Sequence, residues 1–327
     1  MNQDEKYMQR ALELAKKGGR AVAPNPMVGA VLVKNGRMIG EGYHQVFGGP
    51  HAEVMAVESV VDPDELKGAT IYVTLEPCRH HGKTPPCWDL VQSVGIKKVI
   101  CGSLDPLHGY SAGAKTFSRL LVNECDQLNK FFFTWVEKKR PYITVKIAVT
   151  ADGFVAGPSG KTLRITSAEQ DKQVHQLRTN HQAIMVGTNT VLNDDPQLNV
   201  RHAKGQDPLR IILDRELKIP LEAKVFSDAN VLVAMRQWTS STPCPPSVQN
   251  KLDWFKERQI QVIECSEKEG QIDLKWLFGE LAKRDISSVL VEPGPTLYQS
   301  LKKLDLVDEL IVLKGNVEIG EGLRIEI

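Results

Sequence analysis

The chain has 327 residues, 42% of them hydrophobic and 25% charged, which indicates a globular protein with room for two ordinary domains. Its 41 basic residues balance 40 acidic ones to a net charge of +1. This balance argues against nucleic acid as the main partner, since nucleic-acid-binding proteins concentrate positive charge. No apolar run has the length of a membrane span, which argues against a membrane protein.

The first stretch, MNQDEKYMQRALELAKKGG, predicts an amphipathic helix that Asp4 caps and Gly18-Gly19 end. Six residues at helical spacing would form its buried face: Tyr7, Met8, Ala11, Leu12, Leu14 and Ala15. The stretch has no apolar core of the kind found in export signals. We therefore expect a cytoplasmic protein whose six cysteines are not paired in disulfides.

Strands and helices alternate through the first part of the chain. MVGAVLVKNGRMIGEG predicts a hairpin that turns at Asn35-Gly36, a strong two-residue turn signal. HAEVMAVESV and CWDLVQSVGI have helical spacing, whereas ATIYVTLEPC and KKVICGSLDP are typical of buried strands followed by loops. Such alternation favours a layered α/β domain. A last helical stretch, NECDQLNKFFFTWVEKK, ends at Arg140-Pro141, so this domain is predicted over residues 1–141.

The same kind of pattern then starts again. YITVKIAVTADG alternates at period two, and QAIMVG, LRIILD, ANVLVAM and IQVIEC are short β-rich runs. LKWLFGELAKRD is helical, and SSVLVEPGPTLYQSLKKLDLVDELIVL predicts a strand, a turn, a helix and a strand. Residues 142–327 are therefore predicted to form a second α/β domain with its own sheet.

His51, Cys78 and Cys87 are candidate ligands of a zinc ion. His51 lies where a loop becomes a helix, Cys78 follows a predicted strand, and Cys87 opens the next helix. One imidazole and two thiolates suit zinc and leave a position for water, whose pKa then falls from about 15.7 towards about 7. The pattern differs from the H-x-E and P-C-x-x-C signature of zinc deaminases only in its second cysteine, which comes six residues later.

Glu53, two residues after His51, is the candidate catalytic residue. A carboxylate beside the metal can take a proton from the water and give one to a leaving amine. The alternative is a closed structural zinc site with His80 or His81 as the fourth ligand, which would leave Glu53 without a role. Spacing alone leaves both interpretations open.

Four parts of the chain resemble the bifunctional riboflavin-biosynthesis deaminase/reductase family: TLEPCRHHGKTPPC, APNPMVGAVLV, GYHQVFGGPHAE and the second half. A long gap between the cysteines is normal in that family. The resemblance therefore implies that His51, Cys78 and Cys87 bind zinc and that Glu53 carries the proton. It also implies a cytidine-deaminase-like, three-layer α/β/α N-terminal domain.

The resemblance further implies polar positions that hold the pyrimidine and the ribose phosphate: Asn25, His44, His80, Lys83 and Thr84. From the residues alone, Asn25 is explained equally well as a turn residue between two prolines, and His44 as an ordinary histidine at a strand end. A lysine and a hydroxyl can bind a phosphate, while amides or imidazoles can read the edge of a ring.

Two segments of the second half match the family's reductase domain, which resembles dihydrofolate reductase and uses NADPH. VEPGPTLYQSL places Gly294 in a turn that could present backbone amides to a phosphate, although such a glycine more often only makes a tight turn. TNTVLNDDPQLNVR puts charged side chains on a loop, where solvated charges are common. The resemblance implies these cofactor positions: Ala148, Arg164, Thr190, Asp194, Gly294, Pro295, Thr296, Leu297, Tyr298, Gln299 and Ser300.

The substrate positions implied for the reductase are Lys146, Thr162, Arg178, Leu198, Arg201 and Glu292. Arg178 and Arg201 suit a phosphate, and Lys146 is a candidate polar group near the reacting carbon, although a lysine at a sheet edge explains it too. Three features depart from the family: one loop, one residue and two short connections. After Asp105-Pro106, LHGYSAGAKT differs from the usual continuation, and ELIVLKGNVEIGEGLRIEI lacks a segment usual after its strand. Arg164 stands where the family usually has Trp, and FSRLLVNECDQ lacks a strand expected between two helices.

The leading prediction is an enzyme with two activities. Zinc-dependent hydrolysis would deaminate 2,5-diamino-6-(5-phosphoribosylamino)pyrimidin-4(3H)-one, and NADPH would then reduce the ribosyl group of 5-amino-6-(5-phosphoribosylamino)uracil to ribityl. One alternative is a tRNA-type nucleic-acid deaminase with an appended α/β domain, which the even charge disfavours. Another is a zinc-stabilised module that senses a nucleotide, which gives Glu53 no task. We expect a small phosphoribosylated pyrimidine as substrate, no nucleic acid, no membrane, and a homodimer or higher homo-oligomer.

Overall fold

A computed structural model describes residues 2–79, 81, 85–107, 117–158 and 163–326. The chain divides into two compact units, Met1–Lys139 and Arg140–Ile327. All six cysteines carry free thiols, as predicted. Within the described residues, no helix is long and apolar enough to cross a membrane.

The first unit alternates helices and strands as the sequence predicts. Its described helices are α1 (Gln3–Lys16), α2 (Ala52–Glu58), α3 (Cys87–Ser93), α4 (Val122–Leu128) and α5 (Lys130–Lys138). Its described strands are β1 (Gly29–Lys34), β2 (Arg37–Tyr43), β3 (Thr70–Leu75), β4 (Lys98–Ser103) and β5 (Phe117–Arg119). They form a sheet in the order β2-β1-β3-β4-β5. Lys34 pairs with Arg37, so the hairpin turns at Asn35-Gly36 as predicted.

Helices cover both faces of this sheet. Val31 and Val33 of β1 pack in one core with side chains of α1 and α4. Ala30 and Leu32 of the same strand point the other way, into a core that α2, α3 and α5 complete. The predicted three-layer α/β/α arrangement is therefore confirmed. Strands β3, β4 and β5 run parallel, so their carboxyl ends meet at the same edge of the sheet.

Helix α1 buries the predicted apolar face, but the predicted cap is wrong. Asn2 is the N-cap: its side chain accepts a hydrogen bond from the amide of Glu5 at 2.8 Å, and its own amide donates to the Glu5 carboxylate at 2.8 Å. This reciprocal capping box satisfies two free amides, which Asp4 could not do alone. Asp4 instead accepts a hydrogen bond from the Tyr72 hydroxyl.

Two other predictions for the first unit are wrong. FSRLLVNECDQ does contain a strand, because Phe117–Arg119 forms β5 beside β4. The single helix predicted over NECDQLNKFFFTWVEKK is two, α4 and α5, which meet at Asn129. The Asn129 side chain accepts from the Met27 amide at 2.8 Å and donates to the Met27 carbonyl at 3.0 Å. A break made by a partner so far away in sequence leaves no mark in local periodicity.

The second unit contains a mostly parallel α/β arrangement. Its described helices are α6 (Ala168–Asn180), α7 (Thr188–Asp194), α8 (Pro246–Glu257), α9 (Leu274–Lys283) and α10 (Pro295–Lys303). Its described strands are β6 (Tyr142–Val149), β7 (Ala183–Gly187), β8 (Leu209–Leu213), β9 (Val231–Arg236), β10 (Gln261–Cys265), β11 (Glu267–Lys268), β12 (Gln271–Ile272), β13 (Ser288–Val291) and β14 (Glu309–Lys314).

Seven of these strands form a parallel sheet in the order β10-β9-β8-β7-β13-β6-β14. Ala183 and Met185 of β7 enter a core shared with α9 and α10. Ile184 and Val186 enter the opposite core with α8. A parallel sheet buried on both faces is the α/β domain that the sequence predicts. Its strands end at one edge, where α/β proteins bind ligands.

Candidate active sites

Three side chains from separate elements of the first unit converge on one point. His51 immediately precedes α2, Cys78 lies in the loop after β3, and Cys87 is the first residue of α3. Their ligating atoms all lie within 4.8 Å of one another. His51 Nδ1 is 3.6 Å from Cys78 Sγ and 3.3 Å from Cys87 Sγ.

These distances fit zinc. A tetrahedral ion with bonds of about 2.0 Å to nitrogen and about 2.3 Å to sulfur separates those two ligand atoms by roughly 3.6 Å. Among the described residues, no other histidine, cysteine or carboxylate joins this metal-ligand group, so His81 is not part of it. His80, the other candidate fourth ligand, lies outside the described residues.

The electrostatics of the group favour a thiolate. The Cys87 thiol donates towards Cys78, and this hydrogen bond is the largest of the effects that lower the pKa of Cys78 to about 4. The Cys87 backbone amide adds a further hydrogen bond to Cys78 Sγ at 3.4 Å. The hydrogen bond to Cys78 in turn raises the pKa of His51. The hydrogen bond between the two thiols, together with burial, raises the pKa of the Cys87 thiol. Since thiolate is the form of cysteine that binds metals, Cys78 is prepared for a cation, whereas Cys87 would lose its proton on binding one.

Glu53 is the second residue of α2, two positions after His51, and it is 3% exposed. Burial raises the pKa of its carboxyl group to about 7, although the neighbouring His51 opposes that rise. A carboxyl group with such a pKa can both take up and release a proton near neutral pH. This is the property that a general acid and base requires.

A cavity of about 220 Å³ opens against the metal-ligand group, and Asn25, His44, His51, Glu53 and Cys78 all contribute to its wall. The structure thus brings two predicted substrate residues beside the predicted ligands and the predicted proton carrier. The other three predicted substrate residues of this unit, His80, Lys83 and Thr84, lie outside the described residues.

The hydrogen bonds of His44 fix its orientation in this wall. Its Nδ1 lies 2.9 Å from the Pro50 carbonyl, which can only accept, so Nδ1 carries the proton. Burial lowers the pKa of His44 and keeps the ring neutral. Its Nε2 therefore accepts a hydrogen bond from the Asn25 amide at 3.2 Å. Asn25 and His44 form one ordered polar unit facing the cavity.

The cavity wall also contains residues that the sequence did not single out, among them Phe47, Glu76 and Asp105. Glu76 directly follows β3, and Asp105 follows β4 two residues after its end. The Asp105 amide donates to the Glu76 carboxylate at 3.4 Å. Because β3 and β4 are parallel neighbours, the carboxyl ends of the two predicted strands could have pointed to both residues. For Phe47 we see no such signal.

In the second unit, a cleft of about 640 Å³ lies at the carboxyl ends of β7, β8 and β13. Six predicted cofactor residues line it: Thr190, Gly294, Pro295, Thr296, Leu297 and Ser300. Gly294 is the N-cap of α10 and Pro295 its first residue, so the amides that follow Pro295 in this first turn have no partner within the helix, and their residues line the cleft. The cleft has the size of a cofactor pocket, and such a helix start suits a phosphate.

The remaining predicted cofactor residues lie elsewhere in the second unit. Ala148 is on β6, and Asp194 is the last residue of α7. The Tyr298 side chain is buried in the core, and Gln299 is on α10 without lining the cleft. Arg164 has a side chain that is 78% exposed and pairs with Asp171 at 3.3 Å.

Lys146, Arg178 and Glu292, three predicted substrate residues, form one charge network. Lys146 Nζ lies 3.3 Å from one Glu292 oxygen, and Arg178 donates to the other from Nη2 at 3.0 Å and from Nε at 3.2 Å. Burial alone would raise the pKa of Glu292, but the two cations outweigh it and lower that pKa to about 2. Glu292 is therefore a permanent negative charge that holds two cations in place.

The other substrate residues predicted for the reductase divide between two environments. Leu198 is buried, whereas Arg201 is exposed and donates to the Gln197 side chain at 3.1 Å. Arg178 also donates to the Asn199 carbonyl at 3.0 Å, so the network reaches this segment. Thr162 lies outside the described residues.

The sequence did not single out Gly187, Thr188, Asp214 or Arg215, which also line the cleft. Each follows or ends β7 or β8, so the rule that ligands bind at the carboxyl ends of parallel strands could have found them. Asp214 is 1% exposed and accepts hydrogen bonds from two amides of the next turn, at 2.9 and 2.8 Å. It thereby fixes the loop that forms this wall.

Two family models match the chain. The cytidine and deoxycytidylate deaminase zinc-binding region matches residues 1–103, and the RibD C-terminal domain matches residues 141–325. The metal-ligand group lies in the first match and the cleft in the second. Each functional region described above therefore falls in a domain with its own family model.

Known proteins resemble the chain over nearly its whole length. The riboflavin biosynthesis protein RibD of Actinobacillus pleuropneumoniae is 40% identical over 316 residues, which cover 94% of this chain and 82% of that protein. RibD of Aquifex aeolicus is 40% identical over 334 residues, covering 98% and 89%. The solved diaminohydroxyphosphoribosylaminopyrimidine deaminase/5-amino-6-(5-phosphoribosylamino)uracil reductase of Thermotoga maritima is 39% identical with a TM-score of 0.83, covering 99% and 89%.

Proposed function

The chain belongs to the RibD family of riboflavin biosynthesis, and from that premise we propose which of its residues carry each reaction. It is a bifunctional enzyme in which a zinc-dependent deaminase is joined to an NADPH-dependent reductase. We assign the deaminase to residues 1–141 and the reductase to residues 142–327. The substrates in our proposal are the diaminopyrimidinone and the aminouracil, both carrying a ribose phosphate.

In the deaminase, His51, Cys78 and Cys87 hold zinc, which supplies the acidity that makes water a nucleophile near neutral pH. Glu53 takes the proton of the attacking water and passes it to the pyrimidine ring nitrogen. It then takes the remaining proton from the new hydroxyl on the attacked carbon and gives it to the amino group, so that the carbon–nitrogen bond breaks, ammonia leaves and a carbonyl remains. The observation that carries this assignment is that the buried Glu53 carboxyl lies in the wall of the same cavity as His51 and Cys78.

In this proposal Asn25 reads the edge of the pyrimidine, and His44, whose two ring nitrogens are both engaged in hydrogen bonds, holds Asn25 in place beside the substrate. Their mutual hydrogen bond fixes the direction of both side chains, so few arrangements of donors and acceptors on a ring can match Asn25. His80, Lys83 and Thr84 are proposed to bind the ribose phosphate, on the strength of the family resemblance. A lysine and a hydroxyl suit that group.

In the reductase, the cleft beside Thr190 and the first turn of α10 binds NADPH, which supplies the hydride. The hydride goes to the ribose carbon bonded to nitrogen. The bond from that carbon to the ring oxygen breaks, and a proton converts this oxygen into a hydroxyl of the ribityl chain. Lys146 is the proposed source of that proton. It is held by Glu292, which lies two residues before Gly294 of the cleft. Arg178 and Arg201 bind the phosphate.

The remaining parts of the proposal concern surroundings and assembly. The net charge of +1 supports an enzyme of small molecules that does not act on nucleic acid, and we place it in the cytoplasm. We propose a homodimer or higher homo-oligomer. Edge strand β14 supports this, since it exposes Leu310 by 37% and Val312 by 41%. Sedimentation equilibrium should give at least twice the chain mass, and a monomer would contradict this part.

The two reactions can be separated in one experiment. Zinc-loaded protein is incubated with the diaminopyrimidinone substrate, with and without NADPH. Ammonia should be released in both cases, and NADPH should be oxidised only after ammonia appears. Failure to oxidise NADPH even with authentic deaminated product would overturn the reductase assignment. Failure to release ammonia would overturn the deaminase assignment.

A further inference from the structure

The segment 197–201 is tied to helix α6 at two places. Arg178, near the end of α6, donates from Nη1 to the Asn199 carbonyl at 3.0 Å. His175, one turn earlier on the same helix, accepts a hydrogen bond at Nδ1 from the Arg201 backbone amide at 2.9 Å. The segment also contains Leu198 at a φ of 56°, a left-handed conformation that such a side chain rarely adopts. A segment of this kind needs ties from outside to keep its shape.

The Nδ1 atom of His175 acts as a hydrogen-bond acceptor. The residue is 4% exposed, and its ring meets that of His202 edge to face at 4.7 Å. Because Nδ1 accepts from an amide, the proton of the neutral ring must be on Nε2. A protonated ring would carry hydrogen on both nitrogens and would lose this bond.

The charges around His175 act against protonation. Arg178 faces it from its own helix, Arg201 from the tied segment, His202 from the position after that segment, and Glu292 from the end of β13. Burial is the largest effect, the cations add to it, and only Glu292 opposes them. The pKa of His175 is lowered to about 4, so the acceptor is available throughout the neutral range.

We propose that His175 is a positioning residue of the reductase, which fixes the backbone of Arg201 so that Arg201 and Arg178 together bind the substrate's phosphate. This inference rests on the assignment of both arginines to that phosphate. The guanidinium of Arg201 is exposed, and its hydrogen bonds within the described part of the chain go to flexible polar side chains of its own segment, Gln197 and Asn199. Its direction therefore depends on where its backbone is held, and His175 holds it.

The test uses two replacements of nearly equal size in the full-length, zinc-loaded protein. His175→Asn keeps an acceptor where Nδ1 was, because Asn Oδ1 occupies the same place along the side chain. His175→Leu has no acceptor. We expect His175→Leu to raise the KM for the phosphoribosylaminouracil about fivefold to tenfold, the factor that one hydrogen bond supplies. Its kcat should change less than about twofold, and His175→Asn should restore the KM.

Two further measurements separate positioning from stability and from the parent assignment. NADPH affinity, followed by fluorescence, should be unchanged in both variants and shows that the reductase unit is folded. Arg201→Ala should raise the same KM. If it does not, the assignment of Arg201 is wrong. If it does while His175→Leu leaves the KM unchanged, or lowers kcat without rescue by Asn, only the inference about His175 is overturned.

A pH profile keeps the test decisive should His175→Leu fail to fold. In the natural protein the KM should rise below about pH 5, where His175 becomes protonated. His175→Asn cannot be protonated there, so its KM should rise less over the same range. Titration of the substrate phosphate affects the KM of both proteins equally. If the KM of the natural protein and that of His175→Asn change with pH in the same way, the proposal is overturned.

Discussion

Glu53 and Glu292 are both withdrawn from water, yet the pKa values of their carboxyl groups move in opposite directions. At Glu53, burial is the dominant effect and raises the pKa to about 7. At Glu292, burial acts in the same sense, but Lys146 and Arg178 together outweigh it and lower the pKa to about 2. One glutamate can exchange a proton near neutral pH, whereas the other stays charged.

The difference lies in the neighbours of each carboxylate, since the residue type is the same. Glu53 lies near the His51 imidazole, which is itself engaged with Cys78 and Cys87. Glu292 receives three hydrogen bonds from two cations, whose side chains are only 11% and 10% exposed. The deaminase thus uses a buried glutamate as a proton carrier, and the reductase uses one as a fixed charge that organises cations.

The largest effect is expected for Glu53→Gln, which keeps the size of the side chain and removes proton transfer. Deaminase kcat should fall about 1,000-fold, within the range that general acid and base catalysis contributes. Zinc content, measured by atomic absorption, should not change, and the reductase should still turn over authentic deaminated product. Glu58→Gln, at the exposed end of the same helix, is the matched control. Full deamination by Glu53→Gln would refute the assigned role.

Glu292→Gln should have the next largest effect, because it leaves Lys146 and Arg178 without their counter-charge. We expect the reductase kcat/KM to fall about 100-fold and the free energy of unfolding to fall by about 3 kcal/mol, as when one partner of a buried ion pair is removed. Urea unfolding measures the second quantity. Glu257→Gln, at the exposed end of α8, is the control. Unchanged stability would show that the network is not held by its charge.

The dependence of the free energy of unfolding on pH, below pH 5, gives a second test of the charge on Glu292. The pKa of Glu292 is lowered in the folded protein from 4.5 to about 2. Its contribution is therefore complete above pH 4.5 and is lost as the pH falls towards 2, by at most about 1.4 kcal/mol per pH unit. The natural protein should lose more stability than Glu292→Gln between pH 5 and pH 3. Equal losses would mean that Glu292 is not so strongly acidic.

A smaller effect, confined to the deaminase, is expected for Asn129→Leu. This change removes both hydrogen bonds to Met27, which lies two residues after Asn25 of the cavity wall. The deaminase KM should rise about fivefold and stability should fall by about 2 kcal/mol, since buried backbone groups lose their partners. The KM of the reductase should stay constant. A change in the reductase alone would contradict this account.

The smallest effect is expected for Arg164→Trp, which restores the residue usual in the family. Arg164 is largely exposed, and its pairing with Asp171 contributes less than about 1 kcal/mol. We predict a change of less than about threefold in the KM for NADPH and an unchanged deaminase rate, as expected for a side chain in water. A tenfold change, measured by initial rates at varied NADPH, would show that this position contacts the cofactor closely.

The sequence predicted most of what depends on local pattern. The alternation of strands and helices, the hairpin at Asn35-Gly36 and the buried face of α1 are confirmed, because period and turn chemistry act over a few residues. The fold class and the bifunctional activity were predictable through family motifs that cover both halves. The ligand spacing singled out three side chains that the structure brings together.

What the sequence could not give depends on contacts between distant residues. Asn129 breaks a helix because it bonds to Met27, 102 positions earlier. Glu292 is held by Lys146, 146 positions away, and the opposite pKa shifts of the two glutamates follow from such pairings. Phe47 joins the cavity wall without any local signal. In each case the deciding interaction joins residues that become neighbours only in the folded domain, so local sequence cannot reveal it.

The most direct test of the separate roles of the two glutamates is a mixing experiment. Glu53→Gln and Glu292→Gln are each incubated with the diaminopyrimidinone substrate and NADPH, alone and together, and the ribityl product is measured by chromatography. Neither variant alone should form it at an appreciable rate, whereas the mixture should, because each supplies the reaction that the other lacks. Product from either variant alone, or none from the mixture, would contradict the assignment of one glutamate to each reaction.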